Sequence, residues 1–275
     1  MSTELSTRQK AFATLGVMLT LLLVALDQTV VGTAMPRIIA DLNGLAVYAW
    51  VTTAYLVAST VVVPVAGKLG DMFGRKPFML VGMIGFMAGS WACGFAQNMT
   101  ELILFRSLQG AFGGILFANT FTVLADIFAD PAQRVRMQGL FGAVFGLSSV
   151  IGPTVGGFIT DNWGWRWVFY VNIPVGILAV AVTLAALPYV RSKVSWREID
   201  FAGAALLAAG VIPLLIGLSI THDHSWTSPE VLGLLGGAII ALVAFFVVET
   251  RWARNPVVPF GLFRNNPVRL GAEPP

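Results

Sequence analysis

Between two long apolar segments the chain reads GKLGDMFGRKP, from Gly67 to Pro77. The glycines of this stretch permit tight backbone geometry, and Asp71 can cap the start of a helix or pair with a cation. The adjacent bases Arg75 and Lys76 place positive charge beside an apolar segment. A generic basic loop needs only the bases, so the added glycines and acid indicate a specialised hairpin.

The flanking segments belong to a set of apolar stretches long enough to cross a membrane. Of the 275 residues, 56% are hydrophobic and 11% are charged, and the mean hydropathy is +0.79, far more apolar than a soluble domain. A bilayer core requires about 20 apolar residues per helix. Eight stretches qualify: 11–35, 48–67, 77–96, 101–124, 137–160, 167–189, 201–221 and 230–250. The sequence therefore predicts an all-α membrane protein.

The basic residues indicate how these spans are oriented. Of the 17 lysines and arginines, 14 lie on one set of alternate flanks, which includes both termini. The positive-inside rule then places both termini in the cytoplasm, with the protein in the cytoplasmic (inner) membrane. On that side Asp126, at the end of the fourth span, is a candidate partner for Arg75. The net charge of +3 is small and spread through loops, which argues against nucleic acid as a partner.

Two ionisable residues interrupt the spans, where a charge costs about 3 kcal/mol or more and is by default a functional candidate. Asp27 lies in the first span and Arg106 in the fourth, at matching depth. If spans one to three and four to six form an inverted repeat, these two helices are equivalent. We interpret the pair as a coupling site, in which movement of Arg106 or of a cationic ligand loads or releases a proton at Asp27. The alternative is a fixed ion pair that only joins two helices.

Small and polar residues share the helical face of Arg106. They are Gln109, Gly110, Gly113 and Phe117. Such a stripe lines a cavity or lets another helix approach closely. Beside Asp27, Gln28 and Thr29 add hydrogen-bonding groups, but neighbours on a helix point to different faces, so only part of this trio addresses one cavity.

The fifth span carries a seam of small residues in steps of three and four. They are Gly139, Gly142, Gly146, Ser149, Pro153, Gly156 and Gly157. One side of that helix is nearly bare, so another backbone can approach it, and Pro153 removes a hydrogen bond and favours a kink. Ordinary helix packing is the alternative explanation for such a seam.

These motifs resemble those of the major facilitator superfamily. The stretch Gly67–Pro77 fills every key position of the loop signature of that superfamily, G-x-L-x-D-x-x-G-R-K/R. Residues 146–157 resemble its antiporter signature in the fifth span. Arg106 with Gln109 and Gly110 resembles its signature in the fourth span.

Two further stretches, 26–36 and 164–174, are similar to the fourteen-span drug:proton antiporters of bacteria. The resemblance covers residues 10–265 and departs from the pattern at Gly32, where many relatives carry Asn. It implies a major-facilitator-type N-terminal six-helix bundle, built as a 3+3 inverted repeat, followed by two further transmembrane helices.

The resemblance also divides the chain into four regions. They are a cytoplasmic N-terminus at 1–10, a six-span transporter half at 11–189, two linker spans within 190–250, and a cytoplasmic linker and tail at 251–275. No ninth apolar stretch follows, so we expect the N-terminal portion of a transporter whose C-terminal half is missing or is supplied by another chain.

Single residues receive roles from the same resemblance. Asp27 would be a protonation or cation-recognition site, with Arg106 as its charge partner and Gln109 beside it. A conformational latch would comprise Gly67, Gly70, Asp71, Gly74, Arg75, Lys76 and Asp126. An antiporter motif that prevents leakage would comprise Gly146, Gly152, Pro153, Gly156 and Gly157.

The function implied is proton-coupled export of drugs or other small lipophilic molecules. The proton gradient supplies the energy, without a cofactor: His222 and His224 lie in a polar loop, and Cys93 stands alone in an apolar run. No Ser/His/Asp grouping or phosphate-binding glycine loop indicates an enzyme. The expected partners are the lipid bilayer, a small-molecule substrate and a C-terminal transporter half. A nonfunctional truncated remnant and a membrane scaffold or receptor without transport are the alternatives.

Overall fold

A computed structural model of the chain describes residues 6–128, 130–187, 200–221 and 224–251. Regular structure within these ranges is helical. The helices are α1 (Thr7–Leu42), α2 (Ala49–Phe73), α3 (Arg75–Phe95), α4 (Met99–Ile127), α5 (Pro131–Trp163), α6 (Trp167–Tyr170), α7 (Asn172–Ala186), α8 (Phe201–Ile220) and α9 (Pro229–Arg251). With α6 and α7 counted as one span, 8 helical segments are long and apolar enough to cross a membrane. The all-α membrane fold is thus confirmed.

Two compact units make up the chain, Met1–Ser192 and Lys193–Pro275. The first unit holds α1 to α7, and the second holds the pair formed by α8 and α9. In the second unit the Asp200 carboxylate accepts a hydrogen bond from the backbone N–H of Gly203 at 2.7 Å. Asp200 therefore caps the first turn of α8, as short acidic side chains commonly do. Of the predicted linker and tail, 251–275, Arg251 is the last residue of α9, and the rest lies outside the described residues.

The helices differ from the predicted spans at two connections. In the predicted hairpin at 67–77 the helices extend beyond the apolar stretches, because α2 runs to Phe73 and α3 begins at Arg75, which leaves only Gly74 outside a helix. Gly74 has φ of +96°, a conformation that favours glycine. The sixth span is likewise not one helix, since it breaks at Val171. Pro174 explains this break, because proline has no N–H to donate to the preceding turn.

The first six spans pack as two interlocked three-helix repeats. Helices α2 and α3 of the first repeat pack against α4 of the second repeat. Helices α5, α6 and α7 of the second repeat pack against α1 of the first. In addition, α1 contacts α4 and α3 contacts α7. This pattern is unchanged when the first three spans are exchanged for the second three, which confirms the 3+3 inverted repeat. The two helices at its centre, α1 and α4, carry Asp27 and Arg106.

Close approach of α2 to α4 depends on glycines of α4. A Cβ atom at Gly110 would overlap the backbone of Tyr55, and a Cβ atom at Gly114 would lie 2.6 Å from the carbonyl oxygen of Ser59. Gly113 is packed against the side chain of Tyr55 in the same way. The small residues beside Arg106 therefore serve helix packing, the second of the two explanations that their spacing allows.

Candidate functional site

The Asp27 carboxylate lies inside the six-span bundle with 0% of the residue exposed. Its Oδ2 accepts a hydrogen bond from Arg106 Nη1 at 2.6 Å. Its Oδ1 accepts hydrogen bonds from Gln109 Nε2 and Asn172 Nδ2, each at 2.8 Å. The first, fourth and sixth spans therefore meet at one buried negative charge, and three predicted site residues are in direct contact.

The Arg106 guanidinium is buried with it and contacts two aromatic rings. Nη1 also donates to Gln109 Oε1 at 2.8 Å. The guanidinium carbon lies 4.3 Å from the centroid of the Tyr55 ring and 5.9 Å from that of Phe169, within cation–π range. Arg106 Nε has no hydrogen-bond partner among the described residues. The Nε–H group of Arg106 is thus a buried donor that makes no hydrogen bond in this arrangement.

Two members of this site were missed by sequence reasoning. Asn172, the first residue of α7, donates both to Asp27 and to Ser90 Oγ, the latter at 2.9 Å. Ser90 Oγ in turn donates to the Phe169 carbonyl oxygen at 2.8 Å. A signal was present, because Asn172 is the one side-chain amide in the apolar stretch 167–189. A buried amide in a span needs polar partners, and that requirement points to the other polar groups of the bundle.

The other polar candidates near Asp27 do not reach it. Gln28 is exposed. Thr29 Oγ1 donates to the carbonyls of Ala25 and Leu26 in its own helix, at 3.2 and 3.1 Å. Of the trio formed with Asp27, only the acid faces the site.

A second charged cluster lies where α2, α3 and α4 end or begin. Arg75 Nη2 donates to Asp71 Oδ1 at 2.8 Å, and Arg75 Nε lies 3.0 Å from Asp126 Oδ2. Asp71 is in the last turn of α2, so it pairs with a cation and caps no helix start. We call Asp71, Arg75 and Asp126 the Arg75 group, and the end of the bundle that carries them the Arg75 end. Gly67 lies nearby and faces Ala118 of α4.

The remaining residues of the predicted latch contact other helices. Lys76 Nζ donates to the carbonyl oxygens of Leu184 and Leu187, both at 2.7 Å, and so satisfies acceptors at the end of α7. Gly70 packs against Asn119, whose side-chain oxygen leaves no room for a Cβ atom. The stretch 67–77 therefore joins α2 and α3 to both α4 and α7.

The small residues of α5 divide between two faces of the helix. Gly152 and Gly156 are buried against α1, where a Cβ atom at either position would collide with Thr29 or Thr33. The helix continues through its proline from Pro131 to Trp163. The small residues on the exposed side are Gly139, Gly142, Gly146, Ser149 and Pro153, with half-buried Gly157 beside them. Helix α5 therefore has an exposed face of small residues, as its sequence predicts, but Gly156 does not lie on that face.

The described residues contain no cluster of three or more His, Cys, Asp or Glu side chains that could hold a metal ion. His222 lies outside those residues. Cys93 is buried, and its Sγ donates to Gln109 Oε1 at 3.5 Å, at the edge of the Asp27 site.

Comparison with known proteins gives close sequence relatives. Multidrug transporter protein MdtP of Bacillus subtilis (strain 168) is 46% identical over 266 residues, which cover 96% of this chain and 49% of that protein. Multidrug resistance protein 3 of the same organism is 43% identical, over 92% of this chain and 49% of that protein. Efflux pump dotC of Dothistroma septosporum is 38% identical, over 93% and 45%. The chain spans about half the length of the curated relatives it matches.

The fold is similar to that of a solved transporter, the human organic anion transporter MFSD10 (TETRAN), with a TM-score of 0.61 over 89% of this chain and 72% of that chain. At 17% identity this likeness concerns the fold alone. The family and the names of the sequence relatives indicate a transporter and not an enzyme. Residues 17–270 match the family model of the Major Facilitator Superfamily, and the chain, a multi-pass membrane protein, belongs to that family.

Proposed function

We propose that these spans carry the coupling site of an exporter that exchanges protons for drugs or other small lipophilic molecules across the cytoplasmic membrane. The observation that carries the proposal is the fully buried Asp27 carboxylate and its ion pair with Arg106. The multidrug names of two relatives support the substrate class. Because the chain spans about half the length of those relatives, export is proposed for the complete transporter to which these spans contribute.

The hydrogen bonds around Asp27 fit its ionised form. The three groups that contact the carboxylate oxygens, on Arg106, Gln109 and Asn172, are all donors. A protonated carboxyl would bring a fourth donor among them and would remove the negative charge that balances Arg106. A buried guanidinium without a counter-charge is unfavourable. Protonation of Asp27 therefore requires Arg106 to move or to become hydrated, which couples proton binding to the position of α4.

The same arrangement supports exchange of a proton for a cationic substrate. A lipophilic cation beside Asp27 would replace Arg106 as the counter-charge, and the rings of Tyr55 and Phe169 that now flank the guanidinium would face the ligand. One carboxylate is neutralised by a proton or by a cation, and not by both at once. This mutual exclusion is the basis of the proposed antiport.

Two other surfaces receive roles in the complete transporter. At the Arg75 end, the pairing of Arg75 with Asp126 holds α3 against α4 and serves as the proposed latch. The exposed small-residue side of α5, from Gly139 to Pro153, offers a surface on which a second transporter half can pack closely. In this proposal both termini are cytoplasmic, as the distribution of basic residues supports.

Neutralising the buried acid tests the proposal. The chain is reconstituted in vesicles together with the part of MdtP that it does not match, and substrate-induced proton release is recorded. Asp27→Asn keeps the shape of the side chain but cannot bind and release a proton, so proton release is expected to fall to that of empty vesicles. Asp161→Asn, an exposed acid on α5, is the matched control and should behave as the unmodified chain. Proton release retained in Asp27→Asn would end the proposal.

A fixed ion pair without a coupling role is the second candidate, favoured by the complete burial of Asp27 and its three donors. The double substitution Asp27→Asn with Arg106→Gln separates the two. Two neutral polar side chains can still hydrogen-bond across α1 and α4, so a purely structural pair predicts that transport survives. The coupling role predicts that transport is lost while the double variant still inserts in the membrane and purifies as a folded chain.

A further inference from the structure

A third polar cluster lies at the end of the bundle opposite the Arg75 end. Trp165 Nε1 donates to Asp41 Oδ2 at 2.8 Å, and Arg166 Nη1 lies 3.9 Å from the same oxygen. Arg166 Nη2 donates to the Ala96 carbonyl oxygen at 3.2 Å, and its guanidinium carbon lies 4.3 Å from the centroid of the Trp165 ring. We call Asp41, Trp165 and Arg166 the Arg166 group. It joins the ends of α1 and α3 to the connection between α5 and α6.

This cluster is the inverted-repeat counterpart of the Arg75 group. Asp126 is the last residue but one of α4, and Asp41 is the last residue but one of α1, the equivalent helix. A glycine with positive φ ends the second span of each repeat, Gly74 with φ of +96° directly before Arg75, and Gly164 with φ of +88° two residues before Arg166. The acid, the base and the backbone turn thus occupy matching places at the two ends.

The contacts with helix ends match as well. Lys76, in the first turn of α3 in the first repeat, donates to carbonyls at the end of α7, which belongs to the second repeat. Arg166, from the connection in the second repeat, donates to the carbonyl of Ala96, the C-cap of α3 in the first repeat. Carbonyls at a helix end attract a cationic donor, so a base that follows each glycine turn holds the last turn of the opposite repeat.

The Arg166 group is linked to the coupling site by direct side-chain contacts. The Trp165 ring packs edge-on against Phe169, with 6.2 Å between the ring centroids. Phe169 is one of the two rings that flank the Arg106 guanidinium. Asn172, just beyond the short helix α6, donates to Asp27. A displacement of Trp165 and α6 would therefore disturb an aromatic wall of the site and one donor to its carboxylate.

We propose that Asp41, Trp165 and Arg166 are positioning residues that form a second latch, which holds α6 against α1 and α3 and closes the Asp27 site from this end of the bundle. Release of the latch withdraws Phe169 and gives water or substrate access to the carboxylate. The inference deepens the proposed function and rests on it for the consequence in export. Closure itself is measurable without transport.

Cys93 reports whether this end opens. It is the one cysteine of the chain, it is buried beside Gln109, and it lies one turn before the Ala96 carbonyl that Arg166 holds. The full chain in lipid nanodiscs is treated with a water-soluble maleimide, and the labelling rate is followed by intact mass. Arg166→Gln and the milder Trp165→Phe, which removes only the indole N–H, are expected to raise the rate about fivefold or more, because labelling follows the population of the open state.

Two controls distinguish release of the latch from general loosening. Arg37→Gln removes an exposed arginine on the same end of α1, and Asp161→Asn removes an exposed acid on the same end of α5. Both should label at the rate of the unmodified chain. An unchanged rate in both Arg166→Gln and Trp165→Phe overturns the inference, and so does an equal increase in either control. If Asp27→Asn retained proton release while Arg166→Gln still accelerated labelling, the proposed function would fail and the latch would stand.

Discussion

An acid, a base and a glycine turn have matching positions at the two ends of the six-span bundle, but the contacts between them differ. At the Arg75 end the main contact is ionic, with 3.0 Å between Arg75 Nε and Asp126 Oδ2. At the opposite end the charges of Arg166 and Asp41 are 3.9 Å apart, and the shorter contact is the 2.8 Å hydrogen bond from the Trp165 indole to the same carboxylate. One end is held chiefly by charge, and the other chiefly by an aromatic donor.

What each end contacts explains the difference. Asp126 lies twenty residues along α4 from Arg106, about 30 Å on a helix that rises 1.5 Å per residue. Trp165, in contrast, packs on Phe169, which faces the Arg106 guanidinium. A large ring provides packing in addition to a hydrogen bond, and a second charge would not. Matched geometry therefore does not imply matched influence, because Trp165 reaches the coupling site through direct ring contacts, whereas Asp126 lies far along α4 from it.

The largest effect on stability is expected when the hydrogen bond between Asn172 and Asp27 is removed. Asn172→Leu removes one of the three donors to the buried Asp27 carboxylate. The loss of a hydrogen bond to a buried charge costs about 3 kcal/mol, so we expect a clearly lower melting temperature of the purified chain in detergent. Asn162→Leu, an exposed amide on α5 that bonds only its own helix, is the matched control. Equal melting temperatures for both variants would show that the contact contributes nothing.

The next effect tests whether the two glycine turns are equivalent. Gly74→Ala and Gly164→Ala each place a Cβ atom on a residue with φ near +90°, and such strain costs about 1–3 kcal/mol. A Cβ atom at Gly164 would meet nothing within 4 Å, so backbone strain is the sole cause expected there. Both variants should melt lower by similar amounts, while Gly233→Ala in α9, also in open space, should not. Tolerance of one variant and not of the other would break the correspondence.

A smaller effect on stability is expected when the hydrogen bonds to the carbonyls at the C-terminal end of the third span of each repeat are removed. Lys76→Met removes two hydrogen bonds at the end of α7, and Arg166→Met removes one at the end of α3. Each such bond contributes about 1 kcal/mol, so thermal denaturation should show the greater loss for Lys76→Met. Lys76→Arg retains a cationic donor and should recover much of the loss. The reverse order of the two methionine variants would contradict this ranking.

The smallest effect concerns salt. Asp126 and Asp71 have side chains that are 60% and 53% exposed, and ion pairs so open to solvent contribute about 0–1 kcal/mol. The melting difference between the unmodified chain and Arg75→Gln should shrink as salt is added, because exposed charges are screened within about 10 Å at 0.1 M ionic strength. The difference for Trp165→Phe should persist. Equal salt dependence would show that the two ends are held in the same way.

Physical necessity made part of this architecture predictable. A charge inside a span must find a partner, so Asp27 and Arg106 were expected to meet once the inverted repeat was assumed, and they do. The pairing of Arg75 with Asp126 was predictable for a similar reason, since opposite charges lay at the same side of the membrane. Long apolar stretches fixed the number of spans in the same manner.

Other features were hidden because their sequence signals are common or indirect. Trp165 and Arg166 lie in an aromatic, basic stretch of the kind found at many membrane interfaces, and nothing in that pattern names Asp41 as their partner. The helix ends differ from the bounds of the apolar stretches because hydropathy marks apolar residues and not helix termini, and α2 continues past the stretch 48–67 to Phe73. The division of the α5 glycines between two faces depends on the position of α1, which composition does not reveal.

The one-residue joint at Gly74 has a consequence for how rotation passes along the chain. Each helical residue turns the chain by about 100°, so any twist of α2 about its axis reaches α3 with only one backbone unit to absorb it. The connection between α5 and α6 has three residues outside the helices, Gly164 to Arg166, and can absorb more. Rotation of α2 is therefore transmitted to α3 more directly than rotation of α5 is transmitted to α6. An inserted residue at 74 would rotate α3 out of its position relative to α2.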